Sequence, residues 1–202
     1  MTALHSPAAD RNKQPILDTL RRALPHAGRA LEIASGSGQH IAHFAAHMPG
    51  WQWLASDPSP QALASIAALW PAGPPPLQLD VLQAPWPLPA SHREVDAIFS
   101  ANMLHISPWA TCAALMQGAA RHLDANGRLL VYGPFIVSGQ PTSPSNEAFD
   151  ADLRGRNPSW GLRALAEVQR EAEAAGLRLV STTPMPANNL MLEFQRIETR
   201  PS

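Results

Sequence analysis

The residues best suited to bind a ligand lie in one short stretch, Leu31 to His40. Gly36 and Gly38 stand between an apolar run and a helix-compatible segment, which predicts a strand, a tight turn and a helix. Glycine permits positive φ and lets a ligand approach the backbone, and a helix start presents free N–H groups. The dinucleotide fingerprint G-x-G-x-x-G is incomplete, because Ala34 precedes the pair and no third glycine follows at the required place. Taken alone, the stretch fits a ligand-binding turn or an ordinary turn of an α/β protein.

Two acidic residues follow this turn where predicted strands end. Asp57 closes an apolar run about 20 residues after the glycines, the place where a carboxylate binds ribose hydroxyls in nucleotide-binding α/β folds. Asp80 lies near the end of the next run and is followed by Val81. Each acid alone also fits a simple turn residue, because aspartate favours turns.

The order of predicted elements explains how these residues come together. Apolar runs and helical spacing alternate along the chain, and this alternation predicts a doubly wound, mostly parallel sheet with a closing antiparallel hairpin. Ligands bind at the carboxyl ends of such strands. Strands are predicted at 30–34, 51–57, 77–81, 95–100, 128–133, 177–183 and 190–197, helices at 15–24, 41–48, 58–68, 109–123 and 162–175, and irregular structure at 1–14 and 135–160.

Composition limits the classes of protein that the chain can represent. A length of 202 residues with 45% hydrophobic residues predicts a single α/β domain, residues 1–202. The net charge of -1, without a run of Lys or Arg, argues against a nucleic-acid substrate. Cys112 is the only cysteine, so an internal disulfide or a multi-cysteine zinc site is excluded. With no apparent signal peptide or membrane span, we expect a cytoplasmic protein.

The glycine turn resembles motif I of class I S-adenosylmethionine (SAM) methyltransferases, with Ala34 where the first glycine of that motif usually stands. The resemblance implies the Rossmann-like class I methyltransferase fold, SAM as cofactor and S-adenosylhomocysteine (SAH) as product. It also implies a place for each residue around the cofactor. Glu32 would lie near the methionine end with Ala34, Gly36 and Gly38 beside it, Asp57 would bind the ribose, and Asp80 and Val81 would contact the adenine.

The segment after the fourth predicted strand, Ser100 to Ser107, resembles the x-x-L-H-H variant of methyltransferases that act on small molecules. It lacks the N/D-P-P-Y/F motif of enzymes that methylate base or amide nitrogens. We expect Asn102 to face the cofactor and His105 and Tyr132 to be catalytic. His105 could act as a general base, because a histidine titrates near neutral pH, or could simply brace the loop. Alignment of the reactants can supply most of the acceleration of a methyl transfer.

Short segments along nearly the whole chain resemble the DUF938, or methyltransferase-like 26, family. This resemblance implies methyl transfer to a small molecule and does not specify the acceptor. The segments are 6–13, 32–40, 102–109, 132–135, 145–150, 157–161 and 185–189.

Polar residues in the segments predicted to be irregular are candidates for the acceptor pocket or its lid. Residues 1–14 would form an N-terminal lid, and residues 135–160 would form a long loop over the cleft. Arginine and lysine there would suit an anionic acceptor, such as a carboxylate, although a hydroxyl-bearing one also fits. The alternative is that part of the set only caps helices and braces loops. The candidates are Arg11, Asn12, Lys13, Asn146, Asp150, Arg154, Trp160, Asn188 and Asn189.

Other functions are weaker interpretations of the same residues. His40, His43 and His47 have helical spacing, but no cysteine or carboxylate cluster completes a metal site, so no metal is expected. The turn is not G-x-S-x-G, which argues against a serine hydrolase. The missing third glycine argues against an NAD enzyme. A SAM- or nucleoside-binding sensor without catalysis remains the alternative to a methyltransferase.

Overall fold

The structure is a computed structural model and describes residues 3–197. Helices and strands alternate through most of the chain. The helices are α1 (Pro7–Ala23), α2 (Gln39–His47), α3 (Pro60–Leu69), α4 (Ala110–His122), α5 (Pro144–Arg156) and α6 (Leu165–Ala174). The strands are β1 (Gly28–Ile33), β2 (Trp51–Asp57), β3 (Leu77–Gln78), β4 (Val95–Ala101), β5 (Leu123–Gly133), β6 (Phe135–Ile136), β7 (Arg163–Ala164), β8 (Leu177–Met185) and β9 (Asn189–Arg196).

Seven strands form one sheet in the order β3-β2-β1-β4-β5-β9-β8. The first five pair in parallel, and β9 and β8 are antiparallel. In the centre, Leu31 pairs with Leu54 on one side and with Ile98 on the other. These apolar strands are covered on both faces, which a parallel sheet requires. The prediction of a doubly wound sheet with a C-terminal antiparallel hairpin is confirmed.

Apolar side chains fill the space on both faces of this sheet. On one face, Ile16 of α1 and Phe44 of α2 pack in the same cluster as Phe99 of β4. On the other face, Leu115 of α4 and Val168 of α6 pack in the same cluster as Ile98. The two layers leave the carboxyl ends of β1, β2 and β4 on one edge of the sheet.

The N-terminal prediction was wrong, because residues 7–14 are helical. Ser6 caps α1 by accepting a hydrogen bond from Ala9 N at 3.2 Å, and Pro7 occupies the first turn. Pro15, the predicted start of this helix, instead lies inside it. An interior proline loses one backbone hydrogen bond. The buried Ala9 before the proline and the fully buried Ile16 and Leu17 after it anchor the helix on both sides of that defect.

The prediction of a loop over residues 135–160 was also wrong. Helix α5 occupies Pro144–Arg156, and Ser143 caps it by accepting from Asn146 N at 3.3 Å. Its buried residues are Asn146 and Leu153. A helix with so little apolar surface lacks the periodicity from which helices are predicted.

Candidate functional site

A cleft of about 400 Å³ opens at the carboxyl ends of β1, β2 and β4. This volume lies within the range of roughly 300–1,000 Å³ typical of small-molecule sites. Most of the wall is apolar and comes from residues such as Ile33, Leu79 and Met103. Five of the eight predicted cofactor residues line the cleft. They are Ala34, Gly36, Asp57, Asp80 and Val81.

The turn after β1 is joined to the end of β2 by a carboxylate. The Asp57 Oδ2 accepts a hydrogen bond from Gly36 N at 2.9 Å, and its Oδ1 accepts one from Ser59 N at 2.9 Å. Ala34 and Gly36 both have left-handed backbone angles, with φ of 57° and 55°. The alanine conformation costs on the order of 1–2 kcal/mol, which the closed turn must offset. Because a carboxylate has about four acceptor sites, Asp57 retains capacity for a ligand's hydroxyl groups.

Gly38 has a packing role in this turn. Its φ is 88°, and a Cβ added there would lie 2.8 Å from the Cα of Ile66 in α3. Gly38 does not line the cleft in the described structure. Its missing side chain instead lets the start of α2 lie close to α3.

Glu32 lies beneath the turn and is only 1% exposed. Burial raises the pKa of its carboxyl to about 8, a hydrogen bond from Ser35 opposes this shift, and the charge of Asp57 adds to it. Within residues 3–197 its Oε2 has no hydrogen-bond partner. A buried polar atom without a partner is costly, so a bound donor or a water would stabilise it.

Asp80 lies just beyond β3, which is shorter than the predicted strand 77–81. Its Oδ1 accepts a hydrogen bond from Leu82 N at 3.0 Å, and its carbonyl oxygen accepts one from Gln83 N at 2.9 Å. These two bonds form a turn that presents Asp80 and Val81 along the cleft.

Asn102 and His105 follow β4 beside the end of β5. Asn102 has a φ of 60°, and its N–H donates to the carbonyl of Tyr132 at 2.8 Å. His105 is 5% exposed and makes an edge contact with the ring of Phe149, with centroids 5.5 Å apart. Gly133 lies beside this ring, since a Cβ added to the glycine would be in van der Waals contact with His105 Nδ1 at 3.5 Å. Burial, assisted by the charge of Arg163, lowers the pKa of His105 to about 4. The imidazole is therefore neutral at neutral pH.

Tyr132 and His40 are connected through Asn12. Tyr132 is 3% exposed; burial raises the pKa of its phenol, and a hydrogen bond with Asn12 opposes that shift. The Asn12 Oδ1 accepts from His40 Nε2 at 2.7 Å. Burial lowers the pKa of His40 to about 4, so this ring is a neutral donor. Asn12 therefore attaches α1 to the rest of the fold.

The predicted acceptor residues divide into separate groups. Asn146, Asn188 and Asn189 line a second cavity of about 290 Å³ beside the hairpin turn. The charged candidates are paired or exposed elsewhere. Lys13 Nζ donates to Asp10 Oδ1 at 2.8 Å, Arg154 Nε donates to Asp150 Oδ2 at 2.8 Å, and Arg11 is exposed. The uncharged candidate Trp160 has its ring centroid 5.4 Å from Arg156 Cζ.

The three histidines of α2 turn to different partners. His40 contacts Asn12, His43 Nε2 lies 3.1 Å from Gln14 Oε1, and His47 Nδ1 bonds the carbonyl of His43. Among residues 3–197, no group of three or more His, Cys, Asp or Glu is placed to hold a metal. No helix in that range is long and apolar enough to cross a membrane.

Sequence reasoning missed several residues that line the two cavities. Ile106 is 45% exposed at the cleft, an unusual position for a large apolar side chain. Gln140 and Thr142 line the second cavity. Their segment has no periodicity, so the available signal was its content of Ser, Thr, Asn and Gln.

Solved structures with the same fold include several methyltransferases. Mitomycin 7-O-methyltransferase matches with a TM-score of 0.77 and 18% identity over 94% of this chain and 54% of that one. Human N-acetylserotonin methyltransferase in complex with SAM matches with a TM-score of 0.78 and 14% identity, over 95% of this chain and 53% of that one. CalO1, a methyltransferase in calicheamicin biosynthesis, matches in its SAH-bound form with a TM-score of 0.73 and 19% identity, over 92% of this chain and 54% of that one. The chain thus spans about half the length of these proteins.

This likeness confirms the Rossmann-like fold that the sequence resemblance implied. The family model described as a protein of unknown function, DUF938, matches residues 3–196. The chain belongs to the DUF938 family.

Proposed function

We propose that this chain transfers a methyl group from SAM to a hydroxyl-bearing small molecule. The observation that carries the proposal is the single cleft that brings together the Gly36 turn, Asp57 and the Asp80 turn. The fold around this cleft is shared with O-methyltransferases, two of which are solved with SAM or SAH. We also propose that the chain belongs to the methyltransferase-like 26 group and that it acts in the cytoplasm.

The residues of the cleft fit the chemistry of SAM. Asp57 can accept hydrogen bonds from two neighbouring ribose hydroxyls with its free lone pairs, while Gly36 and Ser59 hold it in place. Asp80 and Val81 would flank the adenine, with apolar contact from Leu79. The Oε2 of Glu32, which has no partner within the described range 3–197, supports a polar group at the methionine end.

When bound, SAM supplies a methyl group activated by its sulfonium. The task left to the chain is to align the acceptor oxygen and to receive or pass on its proton. His105 is neutral and has a lone pair, but its lowered pKa makes it a weak base. Asn102, His105 and Tyr132 are therefore proposed mainly to orient the acceptor, since alignment alone contributes a large part of such accelerations.

Calorimetric titration with SAM, SAH and NAD tests the cofactor assignment. We expect SAM and SAH to bind with similar enthalpy and NAD to give no heat beyond dilution. Binding of NAD in preference to SAM, or no binding of SAM at millimolar concentration, would overturn the proposal.

Turnover distinguishes an enzyme from a sensor. Methyl-labelled SAM is incubated with the chain and a collection of phenols, alcohols and carboxylates, and transfer of label is measured. We expect incorporation into at least one hydroxyl compound. Tight SAM binding without incorporation into any acceptor would support the sensor instead.

A further inference from the structure

The second cavity lies beside the hairpin between β8 and β9 and has a volume of about 290 Å³. Its walls come from the hairpin turn, the segment after β6 and the start of α5. We propose that this cavity binds the body of an uncharged, hydrogen-bonding acceptor, such as a phenol or an amide. This inference rests on the proposed function and specifies its substrate class.

One wall of the cavity is a buried amide. Asn146 is 8% exposed, and its Nδ2 donates to the carbonyl of Asn188 at 3.1 Å. Its Oδ1 has no hydrogen-bond partner among residues 3–197. This oxygen is not fully buried either, and the residue lines the cavity. The oxygen can therefore accept a hydrogen bond from a ligand's hydroxyl or amide group.

The adjoining wall is a strained turn held by side-chain amides. Ala187 and Asn188 have φ of 58° and 55°, which L residues seldom adopt. Asn189 Nδ2 donates to the carbonyls of Pro186 at 3.0 Å and Ala187 at 3.2 Å. Asn188 Nδ2 reaches Ser145 Oγ at 3.4 Å. Several bonds thus keep this wall in one conformation, which preorganises the cavity for a ligand.

The cavity has no formal charge among its described lining residues. Apolar side chains such as Phe135 and Leu190 alternate there with the amide of Gln140 and the hydroxyl of Thr142. A carboxylate placed in these surroundings would lose hydration without gaining a cation. The expected cations Lys13 and Arg154 are paired with aspartates instead. The cavity therefore favours a neutral ligand over an anion.

The cavity lies at the same edge of the sheet as the cofactor cleft. Leu190 pairs with Gly133 at the end of β5, and β5 pairs with β4, whose terminal Ala101 lines the cleft. Two strand spacings separate β4 from β9, on the order of 10 Å. An acceptor with one or two rings could span that distance, with its reacting oxygen at the Ala101 side of the cofactor cleft.

Saturation-transfer NMR with two matched probes tests the inference. The probes are para-hydroxybenzamide, which is neutral, and para-hydroxybenzoate, which is an anion of the same size. With SAH present, we expect the amide to bind at least tenfold more tightly than the carboxylate. Asn146→Ala and Thr142→Val should each weaken binding of the amide severalfold, and circular dichroism establishes that each variant is folded.

A charge introduced at the rim gives an independent test. Gln140 is exposed and lines the cavity, so Gln140→Lys should reverse the preference toward the carboxylate, whereas the matched control Gln140→Met should not. Equal binding of the two probes by the unmodified chain, binding of neither at millimolar concentration, or no effect of Gln140→Lys would overturn the inference. SAH binding is measured by calorimetry in the same samples, so a failure of the cofactor proposal is seen separately.

Discussion

The carboxylate of Asp57 and the backbone N–H of Gly36 form a hydrogen bond of 2.9 Å between the end of β2 and the turn after β1. The acid proposed to bind the cofactor's ribose thus also shapes the turn beside the cofactor. Its second oxygen accepts from Ser59 N, so one side chain orders two backbone segments. Substitution of Asp57 should therefore change both cofactor affinity and the stability of the turn.

Asp57→Asn should weaken SAM binding by at least tenfold. An amide oxygen accepts more weakly than a carboxylate, and hydrogen bonds to charged groups contribute about 1.5–3 kcal/mol. Calorimetry measures the change, with Asp152→Asn on the exposed face of α5 as the matched control. Unchanged affinity in Asp57→Asn would remove Asp57 from the cofactor site.

Gly38→Ala should destabilise the fold by about 1–3 kcal/mol, because the position has positive φ and lies against the backbone of Ile66. Urea unfolding measures the change. Gly155→Ala is the control, since a Cβ there meets nothing within 4 Å and alanine favours the interior of α5. If Gly38→Ala lowered the unfolding free energy no more than Gly155→Ala does, the packing role of Gly38 would be contradicted.

Glu32→Gln should change how stability depends on pH. Because the folded-state pKa of Glu32 is raised from 4.5 to about 8, the folded state holds a proton that the unfolded state releases in this range. The contribution of Glu32 to stability is complete below about pH 4.5 and decreases as the pH rises toward 8, by at most about 1.4 kcal/mol per pH unit. The difference between the unfolding free energies of Glu32→Gln and the unmodified chain should therefore grow from pH 5 to about pH 8. A difference independent of pH would contradict the raised pKa.

Asn12→Ala should destabilise the fold by about 1–3 kcal/mol, because it leaves the buried Nε2–H of His40 without its acceptor. Gln14→Ala, two residues away on the exposed side of α1, is the control and should cost less. Urea unfolding of both variants separates the two contacts. Equal losses would mean that the bond to His40 contributes little.

The kcat/KM of methyl transfer should not fall through protonation of His105 as the pH is lowered past 6.5, the ordinary pKa of histidine. Since that pKa is lowered from 6.5 to about 4, the imidazole stays neutral through the physiological range. The measurement is kcat/KM between about pH 6 and 8, compared with that of His105→Asn. A limb near pH 6.5 that disappears in the variant would show that His105 titrates normally and acts as a base.

Helix boundaries show where sequence patterns reach their limit. The strand Trp51–Asp57 was predicted with its observed ends, because an apolar run closed by Asp57 and Pro58 is a local signal. Helix α1 was predicted to start eight residues too late, since a proline in a helix is usually near its start. The true start has the same kind of local signal, with Ser6 as the cap and Pro7 in the first turn, and only the tertiary structure shows which of the two prolines begins the helix.

The sequence by itself determined the fold class and the place of the cleft, because the alternation of strands and helices brings the turn at Gly36 and the acid at Asp57 to one sheet edge. Tertiary structure alone decided that Glu32 is buried with no hydrogen-bond partner for its Oε2 among residues 3–197, that Asn12 bonds His40, and that the predicted cations Lys13 and Arg154 are paired with aspartates. The reason is physical: periodicity and turn residues are local properties, whereas burial and charge pairing depend on residues that are distant in the chain.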